Sequence, residues 1–196
     1  MDPKYERLYL FLRRQVEISK EEIEYMMSFS KIKILKKKEF LFQEGEIARY
    51  VGFVNQGVLR YYYIDNNGNE LIIYFAQEEW WIGDLNSFYS DTPTPYFLQA
   101  LEHCELFLFN CQNFDHIREK IPAYEEFRKR AHAKATAARM TTTMSLLSET
   151  AEDRYLKLLK SFPNIFQRVP QHYIASFLGI KPQSLSRIRK RLAEKK

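Results

Sequence analysis

Residues 169–196 read Val-Pro-Gln-His-Tyr-Ile-Ala-Ser-Phe-Leu-Gly-Ile-Lys-Pro-Gln-Ser-Leu-Ser-Arg-Ile-Arg-Lys-Arg-Leu-Ala-Glu-Lys-Lys. Ile174, Phe177 and Leu178 recur at three- and four-residue spacing, which puts them on one stripe of a helix starting near Pro170. Gly179 ends that helix, because glycine tolerates the left-handed conformation of a sharp turn, and Ile180 beyond it can plug the angle between two helices. Pro182 suits the first turn of the next helix, where its missing N–H costs little. On that second helix Leu185, Ile188 and Leu192 share the inner face, leaving Gln183, Ser184, Ser186, Arg187 and Lys190 pointing outward. These residue types suit a DNA groove: glutamine pairs with adenine, arginine with guanine, and serine or lysine reaches phosphates or base edges.

A basic terminal helix is often only a solvated face, so the distribution of charge decides. Residues 181–196 hold seven Lys or Arg and one Glu and carry +6, whereas the whole chain carries +5, leaving residues 1–180 at −1. The basicity is concentrated on the second helix, as nucleic-acid binding requires.

The remaining composition is that of a folded domain. A chain of 196 residues with 45% hydrophobic content can bury one good core or two modest ones, and Gly and Pro are few. The charged start Met-Asp-Pro-Lys-Tyr-Glu-Arg is unlike a signal peptide, and no run approaches eighteen apolar residues, so a cytoplasmic protein is expected. Cys104 and Cys111 fit a reducing compartment and offer no disulfide framework.

Residues 5–30 carry helical spacing in Leu8, Phe11 and Leu12, then in Ile23, Met26 and Met27, and Ser19 with Glu22 forms a capping-box start. From about Lys31 the pattern turns to short strand-like runs: Phe40 to Phe42, Tyr50 to Asn55, Val58 to Ile64, Glu70 to Phe75, Phe97 to Leu101 and Leu106 to Phe109. Turn-forming clusters separate them, which predicts an antiparallel sandwich or barrel. Helical character resumes after Asn110, and Pro122 to Leu147 contains no Gly and no further Pro. Tyr124, Phe127, Ala131, Ala138 and Ser145 fall near one seam of that long helix, with Met140, Met144 and Leu147 on an adjoining one. Such a helix can be buried in one subunit or pair with its copy, and pairing fits a reader that binds as a dimer. Residues 151–162 form a further amphipathic helix on Tyr155, Leu156, Leu159 and Phe162.

This order of parts resembles the cyclic-AMP receptor protein and fumarate–nitrate regulator (Crp/Fnr) family of bacterial transcription factors over nearly the whole chain. The resemblance rests on Ile174-Ala175-x-x-Leu178-Gly179-Ile180-x-Pro182-x-Ser184-Leu185-Ser186-Arg187, and on Gly45-Glu46, Gly57, Gly68-x-Glu70 and Gly83-Asp84-Leu85. It implies an α+β protein in three parts: N-terminal helices with an antiparallel jelly-roll β-roll over residues 1–120, a central dimerisation helix over 121–148, and a helix-turn-helix domain over 149–196. By the family's pattern Gln183, Ser186 and Arg187 meet base edges and Lys181 and Ser184 grip phosphates; Lys190, on the outward face of the same helix, is a further expected DNA contact. The wing that often follows the reader is expected to be reduced or absent. The implied partners are double-stranded DNA with an inverted repeat, a second copy of the chain, and RNA polymerase. Neither a membrane nor a cofactor is implied.

The resemblance weakens at the ligand. Gly83, Asp84 and Leu85 match the opening of the family's phosphate cassette and are the candidate effector pocket, but its later arginine falls on Thr92-Pro93-Thr94-Pro95-Tyr96. No Lys or Arg occurs between Tyr61 and Ile117, a stretch with nine acidic residues. Desolvating a phosphate against uncompensated carboxylates is costly, so cyclic AMP is disfavoured unless Arg128, Arg130 or Lys134 of the central helix reaches in. Asp84 could accept from a ligand hydroxyl or merely end a strand, and the second is the more ordinary role. An iron–sulfur cluster needs more cysteines than Cys104 and Cys111. A site from His103, Cys104, Cys111 and His116 is disfavoured because adjacent strand residues face opposite ways; Cys104 aligns instead with Leu106 and Leu108 in a core.

The expected function is thus a homodimeric DNA-binding regulator and not an enzyme, with a roll that senses an unknown effector or serves as scaffold. The competing reading is a cupin-like small-molecule-binding protein or enzyme with an incidental basic tail. That class needs converging His and carboxylate ligands, and the four histidines are scattered.

Overall fold

A computed structural model describes residues 1–194, leaving aside the side chains at positions 111, 112, 115 and 139. After a 3-10 turn at Pro3–Tyr5, the elements are α1 (Glu6–Arg13), α2 (Lys20–Ser28), β1 (Lys31–Leu35), β2 (Phe40–Phe42), β3 (Tyr50–Gln56), β4 (Leu59–Ile64), β5 (Glu70–Ala76), β6 (Trp81–Ile82), α3 (Leu85–Ser90), β7 (Phe97–Ala100) and β8 (Cys104–Asn110). They continue as α4 (Cys111–Lys120), α5 (Pro122–Ser148), α6 (Ala151–Ser161), α7 (Ile165–Arg168), α8 (Gln171–Phe177) and α9 (Pro182–Ala193). The capping box at Ser19 and Glu22 is formed, each side chain meeting the other's backbone N–H.

The strands make two antiparallel sheets, ordered β1-β8-β3-β6 and β2-β7-β4-β5. Alternation along each strand divides the apolar residues into three layers. Leu106 and Leu108 of β8 and Leu59 and Tyr61 of β4 fill the space between the sheets. Phe107 and Phe109 of β8 face outward instead, where α1, α2 and the first turns of α5 cover them with Leu8, Leu12, Ile23, Met26, Tyr124 and Phe127. On the far side, Tyr62 of β4 and Ile72 and Phe75 of β5 share a core with Tyr155, Leu158, Ile174, Leu178 and Leu185 of the C-terminal helices. The roll is therefore covered on both faces, which explains why β4 and β8 read as almost unbroken apolar runs.

Several elements depart from the sequence reading. The edge strand β1 escaped notice because four of its five residues are exposed and lysine alternates with isoleucine. The two-residue β6 is too short for any periodicity, and α3 has only six residues. On α6 Leu158, not Leu156, faces the core, because Leu158 lies one turn from Tyr155 and Phe162 whereas Leu156 points to solvent. Ala131 packs against the N-terminal core with Tyr124 and Phe127 rather than on a free seam, and Ala138 is exposed. Among the described residues of the C-terminal part no strand forms, and none of the helices is long and apolar enough to cross a membrane.

Candidate nucleic-acid interface

The helices α8 and α9 meet through Ile174, Ala175, Leu178, Leu185 and Ile188, all buried. Gly179 adopts a φ of +67° between them, and the Ile180 N–H returns to the Ala175 carbonyl at 3.0 Å. This left-handed helix end is a conformation that resists a side chain. The turn is also anchored from outside. Arg154 on α6 donates Nη2–H to the Leu178 carbonyl at 2.9 Å and Nη1–H to the Glu149 carbonyl at 2.6 Å. Carbonyls at helix ends lack intrahelical partners, and here one guanidinium satisfies those of α8 and α5 together, tying the turn to the end of the central helix.

On α9, Lys181, Gln183, Ser186, Arg187 and Lys190 are exposed, and Ser184 is half-buried with its hydroxyl accepting from Arg187 Nη2–H at 3.2 Å. Two other arginines of this helix are committed to the protein. Arg191 pairs with Glu152 on α6, and Arg189 lies over the Phe166 ring with its guanidinium carbon 4.3 Å from the centroid. The net +6 of the tail is thus unevenly available: Lys181, Arg187 and Lys190 stand on the open face, whereas Arg189 and Arg191 hold the helix in place.

The helix-turn-helix packs on the outer face and free edge of β5. Ser176 of α8 donates its hydroxyl to the Glu70 carbonyl at 2.7 Å and accepts the Ile72 N–H at 3.2 Å, supplying an edge strand with the partners it otherwise lacks. Phe177 contacts Phe75, with ring centroids 5.6 Å apart. Arg60, only 3% exposed, donates to Glu70 and Gln99 and is sandwiched between the rings of Tyr62 and Tyr173 at 4.0 and 3.9 Å. Arg168 of α7 donates to Glu78 at 2.7 and 2.8 Å and to Glu102.

Burial pushes the Glu78 carboxyl up, but hydrogen bonds from Arg168 and from the Gly57 N–H outweigh it and hold the group at about 2. A depressed carboxylate contributes stability above its ordinary value near 4.5, and that contribution is lost as pH falls toward 2. Arg168→Ala should therefore weaken packing of the C-terminal helices by about 1–2 kcal/mol at neutral pH, and the difference from the unmodified protein should shrink as pH falls from 4.5 toward 2. Thermal midpoints measured from pH 2 to 6 check this; parallel profiles for the two proteins would show that the clasp contributes nothing.

These pairs also correct the view of the roll as uncompensated acid. Glu70 is matched by Arg60, Glu78 and Glu102 by Arg168, Glu79 by Arg14 and Asp91 by Arg49, all from outside residues 61–117. Glu105 accepts from the Asn55 amide, and Asp65 caps its own turn through Asn67 and Asn69. Antiparallel pairing brings distant segments together, so counting charge along one stretch missed the compensation.

In the candidate pocket Gly83 has a φ of +149°, and Asp84 is 6% exposed. Asp84 caps α3 by accepting from the Asn86 and Ser87 N–H groups, and its other oxygen accepts the Thr94 hydroxyl at 2.7 Å. Leu85 begins α3. Thr94 comes from the segment where the cassette arginine is expected, so the two ends of the loop bond each other. Of the central-helix residues that could lend charge, Arg128 pairs with Glu125, and Arg130 bonds the Gln15 carbonyl; Lys134 is exposed. Cys104 is buried beside Leu106 and Leu108 while His103 is exposed; burial pushes the thiol up to about 12. The Cys111 side chain lies outside the described residues. Among the described residues no group of His, Cys, Asp and Glu gathers as a metal site.

Residues 32–120 match the family model of the cyclic nucleotide-binding domain. The whole-chain fold is that of the Crp/Fnr regulators. FixK2 of Bradyrhizobium japonicum is 16% identical, with 85% of each chain covered and a TM-score of 0.73. CLP of Xanthomonas campestris, described as a c-di-GMP-responsive global regulator, is 15% identical over 90% of this chain and 93% of its own, with a TM-score of 0.69. The catabolite activator protein of Thermus thermophilus is 18% identical over 94% of this chain and 87% of its own, with a TM-score of 0.55. No curated protein matches the chain by sequence. Within this Crp/Fnr fold, sequence reasoning overlooked Arg60, Arg154, Arg168 and Gln171. Their partners lie up to 113 residues away in sequence, as Tyr173 does from Arg60, and meet them only through tertiary contact, so no local pattern marked them.

Proposed function

We propose that this protein is a sequence-specific DNA-binding transcription regulator of the Crp/Fnr type that acts as a homodimer. The observation that carries the reading is the division of α9: Leu185 and Ile188 are buried, while Lys181, Gln183, Ser186, Arg187 and Lys190 form an open polar and basic face. Residues 1–120, 121–148 and 149–196 serve as roll, dimerisation helix and reader.

The second copy pairs along α5. Ala133, Ala137, Met140, Met144 and Leu147 follow at intervals of four and three, the spacing of a coiled-coil seam, and all are exposed in the single chain. Leu147 is 80% exposed, a costly state for leucine unless a partner covers it. The hydroxyls of Thr136, Thr141 and Thr142 bond the carbonyls four residues back, so they present methyl groups and no unmet donors to a partner helix. A two-fold dimer presents two readers, and its operator is an inverted repeat. RNA polymerase is a further partner under this reading, and the cytoplasm is its site of action.

The effector is not cyclic AMP, because Asp84 and Thr94 satisfy each other where a phosphate and a ribose would need free donors and acceptors. Calorimetric titration should give no submicromolar binding, and a submicromolar constant would refute this view of the pocket. The roll responds to another ligand or acts as scaffold.

Selection of bound duplexes from a random pool, followed by affinity measurements over a range of salt, tests the DNA-binding reading. Arg187→Ala should cost about 1–3 kcal/mol on the best site and relax preference at one base pair. Lys181→Ala and Lys190→Ala should weaken all sequences alike and each reduce the salt slope by roughly one. An unchanged motif for Arg187→Ala together with an altered one for Lys181→Ala would mean that the helix lies in the groove the other way.

A further inference from the structure

The first turn of α8 meets α9 at one polar point. The side chain of Gln171 lies between Arg189 and Ser186, with Oε1 3.4 Å from Arg189 Nη1 and Nε2 2.9 Å from Ser186 Oγ. Chemistry fixes the direction of the amide. A guanidinium only donates, so the amide oxygen faces Arg189 and the amide nitrogen must face Ser186. Arg189 is itself held by the Phe166 ring. Ser186 Oγ is therefore an acceptor toward Gln171, and its own proton is left over. Among the described residues no carbonyl receives that proton, unlike those of Thr141 and Thr142. The side chain of Ser186 is exposed next to Arg187.

We infer that Gln171 is a positioning residue that sets the polarity of Ser186, so that the hydroxyl enters the major groove as a hydrogen-bond donor. A free serine donates or accepts and reads any base weakly. With its lone pair turned toward Gln171 and its proton outward, Ser186 favours base edges with acceptors: N7 and O6 of guanine, N7 of adenine and O4 of thymine. Cytosine, which offers only its N4 donor there, is rejected. The inference rests on the DNA-binding reading above, and its test separates the two.

Bound duplexes are selected with the full chain and with Gln171→Ala, Gln171→Glu and Ser186→Ala, and affinities are then measured for the best site and its single-base-pair variants. Thermal midpoints confirm that each variant is folded. The unmodified protein should disfavour cytosine about tenfold at one position, and Ser186→Ala should abolish that bias. Gln171→Ala should weaken the bias without removing it, and the double variant should match Ser186→Ala. In Gln171→Glu the carboxylate keeps Arg189 but accepts the Ser186 proton, which turns lone pairs to the groove. Its preference at that position should shift toward cytosine or adenine, on top of a general loss from the added charge. An equal loss over all duplexes in the Gln171 variants, with the motif unchanged, would overturn the inference, as would an unchanged motif in Ser186→Ala. If the unmodified protein selects no motif at all, the DNA-binding reading falls and this inference with it.

Discussion

Gly57→Ala should destabilise the protein by about 3–5 kcal/mol, combining overpacking against an unyielding neighbour with a left-handed backbone. Gly57 has a φ of +101°, and a Cβ there would lie 2.6 Å from the His103 carbonyl oxygen and 2.8 Å from Cys104 Cα. Those are backbone atoms at and just before the start of β8 and cannot swing aside. The Gly57 N–H also donates to Glu78, the carboxylate that Arg168 clasps, so a shift there reaches the attachment of the C-terminal helices. Gly68 supplies the control: its φ is +81°, but a Cβ would meet nothing within 4 Å, so Gly68→Ala should cost only about 1–2 kcal/mol of backbone strain. Urea titrations of the two variants measure the difference, and equal stabilities would mean that the β3–β4 corner relaxes more readily than its contacts imply.

Met144→Glu should abolish dimerisation and lower DNA affinity by roughly 10²- to 10⁴-fold, the gain normally obtained by linking two binding modules. The substitution puts a charge in the centre of the seam formed by Ala137, Met140, Met144 and Leu147, on a helix face that is exposed in its own subunit. Folding should be unaffected for that reason. Ala131 is a poor place for the same experiment, since it packs on the N-terminal core and a charge there would disturb the subunit itself. Sedimentation and DNA binding give the two readouts. A monomeric unmodified protein at micromolar concentration, or tight DNA binding by monomeric Met144→Glu, would sink the dimer.

Local patterns in the chain were sufficient for the helix-turn-helix, the capping box at Ser19 and Glu22, the long α5 and most strands of the roll. Each depends on contacts a few residues apart: Ile174, Leu178, Leu185 and Ile188 recur with the helical period, Gly179 sits where φ must be positive, and strand residues alternate with period two. Periodicity could not distinguish the two buried faces of β8, where Phe107 and Leu108 are equally apolar yet belong to different cores. Tertiary structure alone decided that the helix-turn-helix leans on β5, through Ser176, Tyr173 and Phe177, and that Arg60 and Arg168 neutralise carboxylates of the roll. It alone decided which basic residues of α9 remain open and which are tied to Phe166 and Glu152. The physical reason is range. A helix or turn is specified by neighbours within about one turn, whereas an ion pair between residues 78 and 168 exists only after the sheet has brought them together.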